Sequence, residues 1–137
     1  MIDASQYVGL PFKELGRDRN GIDCYGLLKL CFAETYGIEL PTYDSYSSTK
    51  DWAQVSPLIQ QERDASWEPV TDHREGDVVV LKIHGHPWHC GIVLTYPKFL
   101  HVEWGTETCI DRLDSVRWAR RVEGFYRHKS MIVVTAA

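Results

Sequence analysis

Three residues of this chain have the types that nucleophilic acyl transfer needs: Cys24, His89 and His101. Cys24 directly follows Asp23 and precedes Tyr25-Gly26-Leu27-Leu28. Asp is a favoured N-cap, so Cys24 falls in the first turn of a helix. Unpaired N–H groups and the positive end of the helix dipole meet there; they lower a thiol pKa and can receive an oxyanion. His89 opens the run His89-Cys90-Gly91-Ile92-Val93-Leu94, and His101 lies in Phe99-Leu100-His101-Val102-Glu103-Trp104. Both runs read as strands, and Tyr96-Pro97 between them reads as a hairpin turn. Folding one strand back on the other makes the two imidazoles cross-strand neighbours. Strand alternation sets Leu100, Val102 and Trp104 on one face and His101 with Glu103 on the other. A thiol, a histidine base and a polar group that orients the base complete such a site, with His101 the first choice for the orienting role and Glu103 the second. Each residue also has a plainer reading, Cys24 as a small buried hydrophobe and each histidine as a satisfied sheet residue.

A rival chemistry sits nearby. His84-Gly85-His86-Pro87-Trp88-His89-Cys90 packs three histidines and a cysteine into seven residues, a composition that suits zinc. The spacing is not the i, i+4 pair of a helical metal site, and further ligands would have to come from elsewhere, so the expectation is no metal and no cofactor. The other cysteines, Cys31, Cys90 and Cys109, form no C-x-x-C pair with each other or with Cys24, which lowers the zinc-ribbon and thioredoxin readings.

The elements that must position these residues follow from the pattern. Residues 3–8 read as a short helical segment and 13–22 as a polar loop. Residues 24–36 read as the strongest helix, with Leu27, Leu28, Cys31, Phe32 and Tyr36 on one side, Gly37 just past its end and Pro41 beyond. Residues 42–48 read as a loop and 49–63 as a weaker helix broken near Pro57. Strands are predicted at 78–83, 90–95, 98–104, 108–112 and 122–127, and the tail from Met131 as a last strand or a frayed end. One helix followed by a run of strands with short connections implies an α+β fold with an antiparallel sheet.

Composition fits this picture. A chain of 137 residues suits one domain over residues 1–137 and can bury roughly two thirds of its unfolded surface without disulfides or metal. Hydrophobic residues make up 44% and charged residues 25%, which excludes disorder as the main state. Fifteen Lys+Arg against nineteen Asp+Glu give a net charge of −4, which argues against a nucleic-acid partner. No stretch is long and apolar enough for a membrane span. Met1-Ile2-Asp3-Ala4-Ser5-Gln6 lacks the basic start and apolar run of a signal peptide, so the expectation is synthesis in a cytoplasm without an export signal of its own.

Taken in order, several stretches resemble the NlpC/P60 cysteine peptidases. Tyr7-Val8-Gly9-Leu10-Pro11-Phe12 resembles that family's Y-x-G-x-P-Y/F opening, and Gly21-Ile22-Asp23-Cys24-Tyr25-Gly26-Leu27 its G-x-D-C-S-G-L. Gly76-Asp77-Val78-Val79-Val80 resembles the family's strand entry, His89-Cys90-Gly91-Ile92 its H-x-G-I, Phe99-Leu100-His101 its third motif, and Trp118 through Arg127 its closing strand. The resemblance runs from about residue 3 to 128. It implies a papain-like fold, with a Cys-bearing helix packed on an antiparallel sheet that carries the histidines. Cys24 would be the nucleophile, His89 the base and then the acid, and His101 the orienting residue. The implied activity is cleavage of the D-glutamyl to diamino-acid bond in peptidoglycan stem peptides. The short form resembles phage tail components, which implies localisation in the virion tail and other tail-tip proteins as partners. Tyr25 stands where the family has Ser, and Phe12 where many members have a Tyr whose hydroxyl serves the oxyanion. Tyr7 and Tyr25 are candidates to replace that hydroxyl; Asp23 and Arg17, with Arg19, are further candidates near the oxyanion or the substrate carboxylates. These departures also motivate the alternative of an inactive structural or plug protein of a tail tip. The insert at 42–66, with Tyr43, Tyr46 and Trp52, would line the groove or dock a partner.

Overall fold

Asp23 sets the start of the chain's main helix. Its backbone is extended (φ −100°, ψ −178°) and its carboxylate accepts the Gly26 N–H at 2.8 Å, so α1 (Cys24–Cys31) begins one residue later. The computed structural model describes residues 1–42, 59–61 and 65–132. Regular α-helical bonding ends at Cys31; a wider π-type turn, Phe32–Tyr36, carries the chain on to Gly37. The predicted helix over 24–36 is therefore one element in two geometries. Leu27, Leu28, Cys31 and Phe32 are buried along its inner side, and each large apolar side chain so buried contributes about 1.5–3 kcal/mol.

Ahead of the helix, the predicted 3–8 segment is a 3₁₀ turn, Ala4–Gln6, capped by Asp3. The stretch predicted as loop contains a small antiparallel ribbon, β1 (Arg17–Asp18) and β2 (Gly21–Ile22). Beyond the helix, residues 59–61 are helical. The rest of the predicted second helix, and Tyr43, Tyr46 and Trp52, lie outside the described residues.

The sheet has six strands: β3 (Trp67–Val70), β4 (Val78–Ile83), β5 (His86–Val93), β6 (Lys98–His101), β7 (Cys109–Arg112) and β8 (Val122–His128). Their order is β3-β8-β4-β5-β6-β7, every pairing antiparallel. One face, with Val78, Val80, Cys90, Ile92, Leu100 and Tyr126, packs against α1. The other, with Val79, Leu81, Val93 and Phe99, packs against Leu113 and Trp118. Fold class and helix-on-sheet arrangement are those the sequence implies. Boundaries differ: β5 begins four residues early, β6 stops at His101 rather than residue 104, and Trp118 lies in the turn before β8 rather than on it. The tail turns once more at Lys129–Met131.

Buried charge ties β4 to β8. Arg127 places Nε 2.9 Å and Nη2 2.8 Å from the two carboxylate oxygens of Asp77, and Asp77 also accepts the Arg74 N–H. Both side chains are buried and neither has a buried polar atom without a partner, the condition under which a buried ion pair can stabilise. The Gly-Asp strand entry of the sequence is thus a structural lock.

Candidate active site

Cys24 stands at the first position of α1, where the helix leaves N–H groups without acceptors of its own. Cys24 and His89 line one cleft, and the Cys24 thiol lies within electrostatic reach of Cys90 and His89, consecutive residues of β5. The strand is irregular at this point. Leu81 pairs with His89 but Lys82 with Pro87, so Trp88 is an extra residue, and such a bulge bends and twists its strand. The hydrogen bond from Cys90, then the bond to His89 and the charge of His89, hold the Cys24 thiol down to about 6 against the opposing effect of burial. The other three thiols shift the opposite way. Cys31 is pushed to about 12 by burial, Cys90 is raised by its bond to Cys24 and by burial, and Cys109 is raised by burial. Of the four cysteines, Cys24 is the one disposed to ionise near neutrality.

His89 Nε2 lies 2.8 Å from His101 Nδ1. The cross-strand contact that the sequence predicts is a direct hydrogen bond. It depends on Gly91, because a Cβ there would sit 2.8 Å from Phe99 Cδ2, 2.9 Å from the Leu100 carbonyl oxygen and 3.2 Å from His101 Cβ. The family-like H-x-G spacing therefore clears the space into which the His101 ring folds. His101 is fully buried, and burial, reinforced by the charge of His89, lowers its pKa to about 3, so the ring is neutral at physiological pH.

Trp118 closes the back of the pair. Its ring stacks on His89 (centroids 5.8 Å apart, 22° between planes) and meets His101 edge-on at 5.4 Å. Its Nε1 donates to Asp111 Oδ2 at 2.8 Å, and the same oxygen lies 3.4 Å from His101 Nε2. Cys90, Asp111 and Trp118 are site residues that sequence reasoning did not single out. The β6–β7 register puts Asp111 opposite Phe99, two residues from His101, a relation invisible before the strands are paired.

In front of Cys24 and His89 opens a cleft of about 230 Å³. Phe12, Trp88 and Trp104 give it aromatic walls, Ile83 and Val102 an apolar floor, and His84 and Glu103 polar rims. Val102, Glu103 and Trp104 all border the cleft because β6 has already ended; the alternation assumed across 98–104 stops at His101. Glu103 pairs with Arg117, and the His89 partner is His101, so Glu103 does not take the orienting role.

The secondary candidates sort differently. Phe12 borders the cleft. Asp23 is fully buried and receives the N–H groups of Gly26 and Leu15 and the Arg17 guanidinium at 2.8 Å, so it builds the helix start and does not face substrate. Arg17, held on Asp23 and over the Tyr25 ring, is likewise structural. Tyr25 gives its hydroxyl to the Pro41 carbonyl. Tyr7 is buried with its hydroxyl on Glu34, and Arg19 covers its ring while binding the same carboxylate. Burial and Glu34 push the Tyr7 phenol up to about 12. Neither tyrosine reaches the cleft to replace the hydroxyl that Phe12 lacks. The histidine-rich run is likewise dispersed: His84 borders the cleft, while His89 is bound to His101. Among the described residues no group of three or more His, Cys, Asp or Glu is arranged to hold a metal ion, and no helix is long and apolar enough to cross a membrane.

Comparison with known proteins places this geometry. A probable endopeptidase NlpC homolog of Haemophilus influenzae is 27% identical over 116 residues, covering 85% of this chain and 54% of that protein. The murein DD-endopeptidase MepS/murein LD-carboxypeptidase of Escherichia coli K12 is 26% identical over 117 residues, covering 85% and 55%. The chain thus spans about half the length of these curated relatives. Among solved structures, the NlpC/p60 domain of the peptidoglycan hydrolase SagA superposes with a TM-score of 0.60 at 20% identity, covering 90% of this chain and 91% of that one. RipD of Mycobacterium tuberculosis, described as a non-catalytic NlpC/p60 domain protein, superposes at 0.57 with 16% identity, covering 90% and 89%. The family model itself matches residues 9–127, a span that holds Cys24, both histidines, Asp111 and Trp118, and the chain belongs to the NlpC/P60 family.

Proposed function

We propose that this protein is a cysteine peptidase that hydrolyses amide bonds in peptidoglycan stem peptides. The observation that carries the reading is Cys24, at the N-terminus of α1, sharing an open cleft with His89, whose Nε2 lies 2.8 Å from His101 Nδ1. Surroundings that lower the Cys24 thiol pKa support this reading over an inactive plug.

The proposed reaction uses the groups that line the cleft and the helix start. His89 takes the Cys24 proton, and the thiolate sulfur attacks the amide carbonyl carbon. The carbonyl electron pair moves to oxygen, and N–H groups at the start of α1 receive the oxyanion, each such donor being worth about 2.7–4 kcal/mol in comparable sites. Collapse of the tetrahedral adduct expels the amine, which takes the proton from His89. Water then attacks the thioester with His89 as base, releasing the carboxylate and restoring the thiol. The proposal extends to the D-glutamyl to diamino-acid bond and to delivery by a phage tail, both drawn from the family resemblance.

Wild-type protein and Cys24→Ala are to be incubated with purified peptidoglycan and the soluble products weighed by mass spectrometry. Release of stem-peptide fragments by the wild type and none by the variant, with unchanged circular dichroism, is expected. Fragment masses report the bond, and mass spectrometry of purified virions reports the tail assignment. Equal release by both proteins, or none by either, overturns the peptidase reading.

A further inference from the structure

We propose that Asp111 is a positioning residue that fixes the proton pattern of the whole histidine pair, a role that rests on the peptidase reading above. One hydrogen lies between His89 Nε2 and His101 Nδ1, because the two nitrogens are 2.8 Å apart. A neutral His101 has a single N–H, on Nδ1 or on Nε2. If Nδ1 holds it, His101 donates to His89 Nε2. A neutral His89 must then carry its own proton on Nδ1 and cannot accept one from Cys24. If Nε2 holds it, His101 Nδ1 accepts from His89 Nε2–H. His89 Nδ1 is then a bare lone pair, free to act as the base.

The productive pattern requires something behind His101 that attracts an N–H. Asp111 Oδ2, 3.4 Å from His101 Nε2, supplies it. Apart from this carboxylate, Nε2 is buried with no hydrogen-bond partner among the described residues, so Asp111 is the acceptor that an Nε2–H of His101 would meet. The 3.4 Å separation is loose, as catalytic hydrogen bonds often are before substrate binds. Trp118 Nε1 and the Arg112 N–H hold Asp111 in place and help keep it ionised. When His89 takes up the thiol proton, the same chain stabilises the imidazolium: Nε2–H faces a lone pair, with a carboxylate beyond it. Asp111 touches neither substrate nor thiol; it acts through His101 alone.

The test is long-range ¹H–¹⁵N correlation spectroscopy on histidine-labelled protein, with the alkylation rate of Cys24 by iodoacetamide as a second readout. In the wild type, His101 is expected as the Nε2–H tautomer. In Asp111→Ala, the Nδ1–H form of His101 appears, alkylation at neutral pH slows about 10-fold, and kcat for fragment release falls about 10-fold with KM unchanged. Asp111→Asn, whose amide oxygen can accept from both Trp118 and His101, restores most of the wild-type pattern. A proton on Nδ1 of His101 in the wild type overturns the proposal without any variant. Unchanged tautomers in Asp111→Ala, or failure of Asp111→Asn to restore them, overturn it too. The spectra and the alkylation rate need no peptidoglycan, so an absence of fragment release by the wild type sinks the peptidase reading separately.

Discussion

Replacing Gly26 with Ala pits two effects of opposite sign against each other. Gly26 lies inside α1, where intrinsic helix propensity favours Ala over Gly by about 1 kcal/mol. Sterics oppose the change. A Cβ on Gly26 would lie 2.0 Å from the Gly16 carbonyl oxygen and 3.0 Å from Ile22 Cγ1. The backbone at Gly16 would have to retreat by about 1.4 Å to reach ordinary contact. That backbone is not free to move alone, because Leu15 N–H and Arg17 Nη1 both bind Asp23, the residue that caps the helix. Overpacking costs about 1–3 kcal/mol and loss of the cap about 1 kcal/mol. Against the propensity gain, the net expectation is a loss of about 1–3 kcal/mol, or roughly 4–10 °C in Tm. Urea unfolding followed by circular dichroism measures the first and calorimetry the second. Because Cys24 adjoins the disturbed cap, its alkylation should slow in parallel. A variant as stable as the wild type, or more so, would show that propensity outweighs the close approach of the Gly16 loop and would refute the reasoning.

The remaining expectations concern the thiol and the buried ion pair. With its thiol held near 6, Cys24 should be alkylated at half its maximal rate near pH 6, slower below as the thiol protonates, while Cys31, Cys90 and Cys109 stay unreactive there; peptide mapping of the alkylated protein checks it. Cys90→Ala removes the donor that does most to lower the Cys24 pKa, so the midpoint should move above pH 6, whereas Cys90→Ser keeps a donor and should hold it low; a midpoint unmoved in the alanine variant would contradict the assigned cause. Asp77→Ala strands the Arg127 guanidinium in the core and should cost about 3–5 kcal/mol, read as a fall in Tm of 10 °C or so by calorimetry.

What the sequence revealed of the fold was what local chemistry specifies. Asp23 before an apolar repeat set the helix start, and runs of β-branched and aromatic residues set β4, β5 and β8. Of the six strands of the main sheet, β3 is the one missed entirely, and it shows the limit. Trp-Glu-Pro-Val carries a proline, which removes a ladder donor and argues against a strand. The sheet tolerates Pro69 because β3 is an edge strand paired only with β8, and edge position is a property of the assembled sheet. β6 ended early for a comparable reason. The alternating pattern of Leu100, Val102 and Trp104 continues past His101, but off the strand Val102 stays in the core while bordering the cleft, and Trp104 is exposed beside it.

The site divides along the same line. Cys24, His89 and His101 were legible because each carries its reactive group in a local context: a capped helix, and two strands on either side of a turn. Asp111, Trp118 and Cys90 were not, because their roles exist only across strands. Cys90 reads as a spacer between His89 and Gly91 until β5 meets the start of α1 and its thiol reaches Cys24. Asp111 reads as one more charge in an exposed strand until the β6–β7 register sets it behind the His101 ring and Trp118 anchors it there. The tyrosines failed in the opposite direction. Tyr7 and Tyr25 have the hydroxyl that Phe12 lacks, but Glu34 and the Pro41 carbonyl already engage those groups. In the proposed reaction the oxyanion is left to backbone N–H groups at the helix start, whose positions Asp23 and the close approach of Gly26 to Gly16 control. Under that proposal, the cap that the sequence advertises as a folding signal also aims the dipoles that would meet the oxyanion.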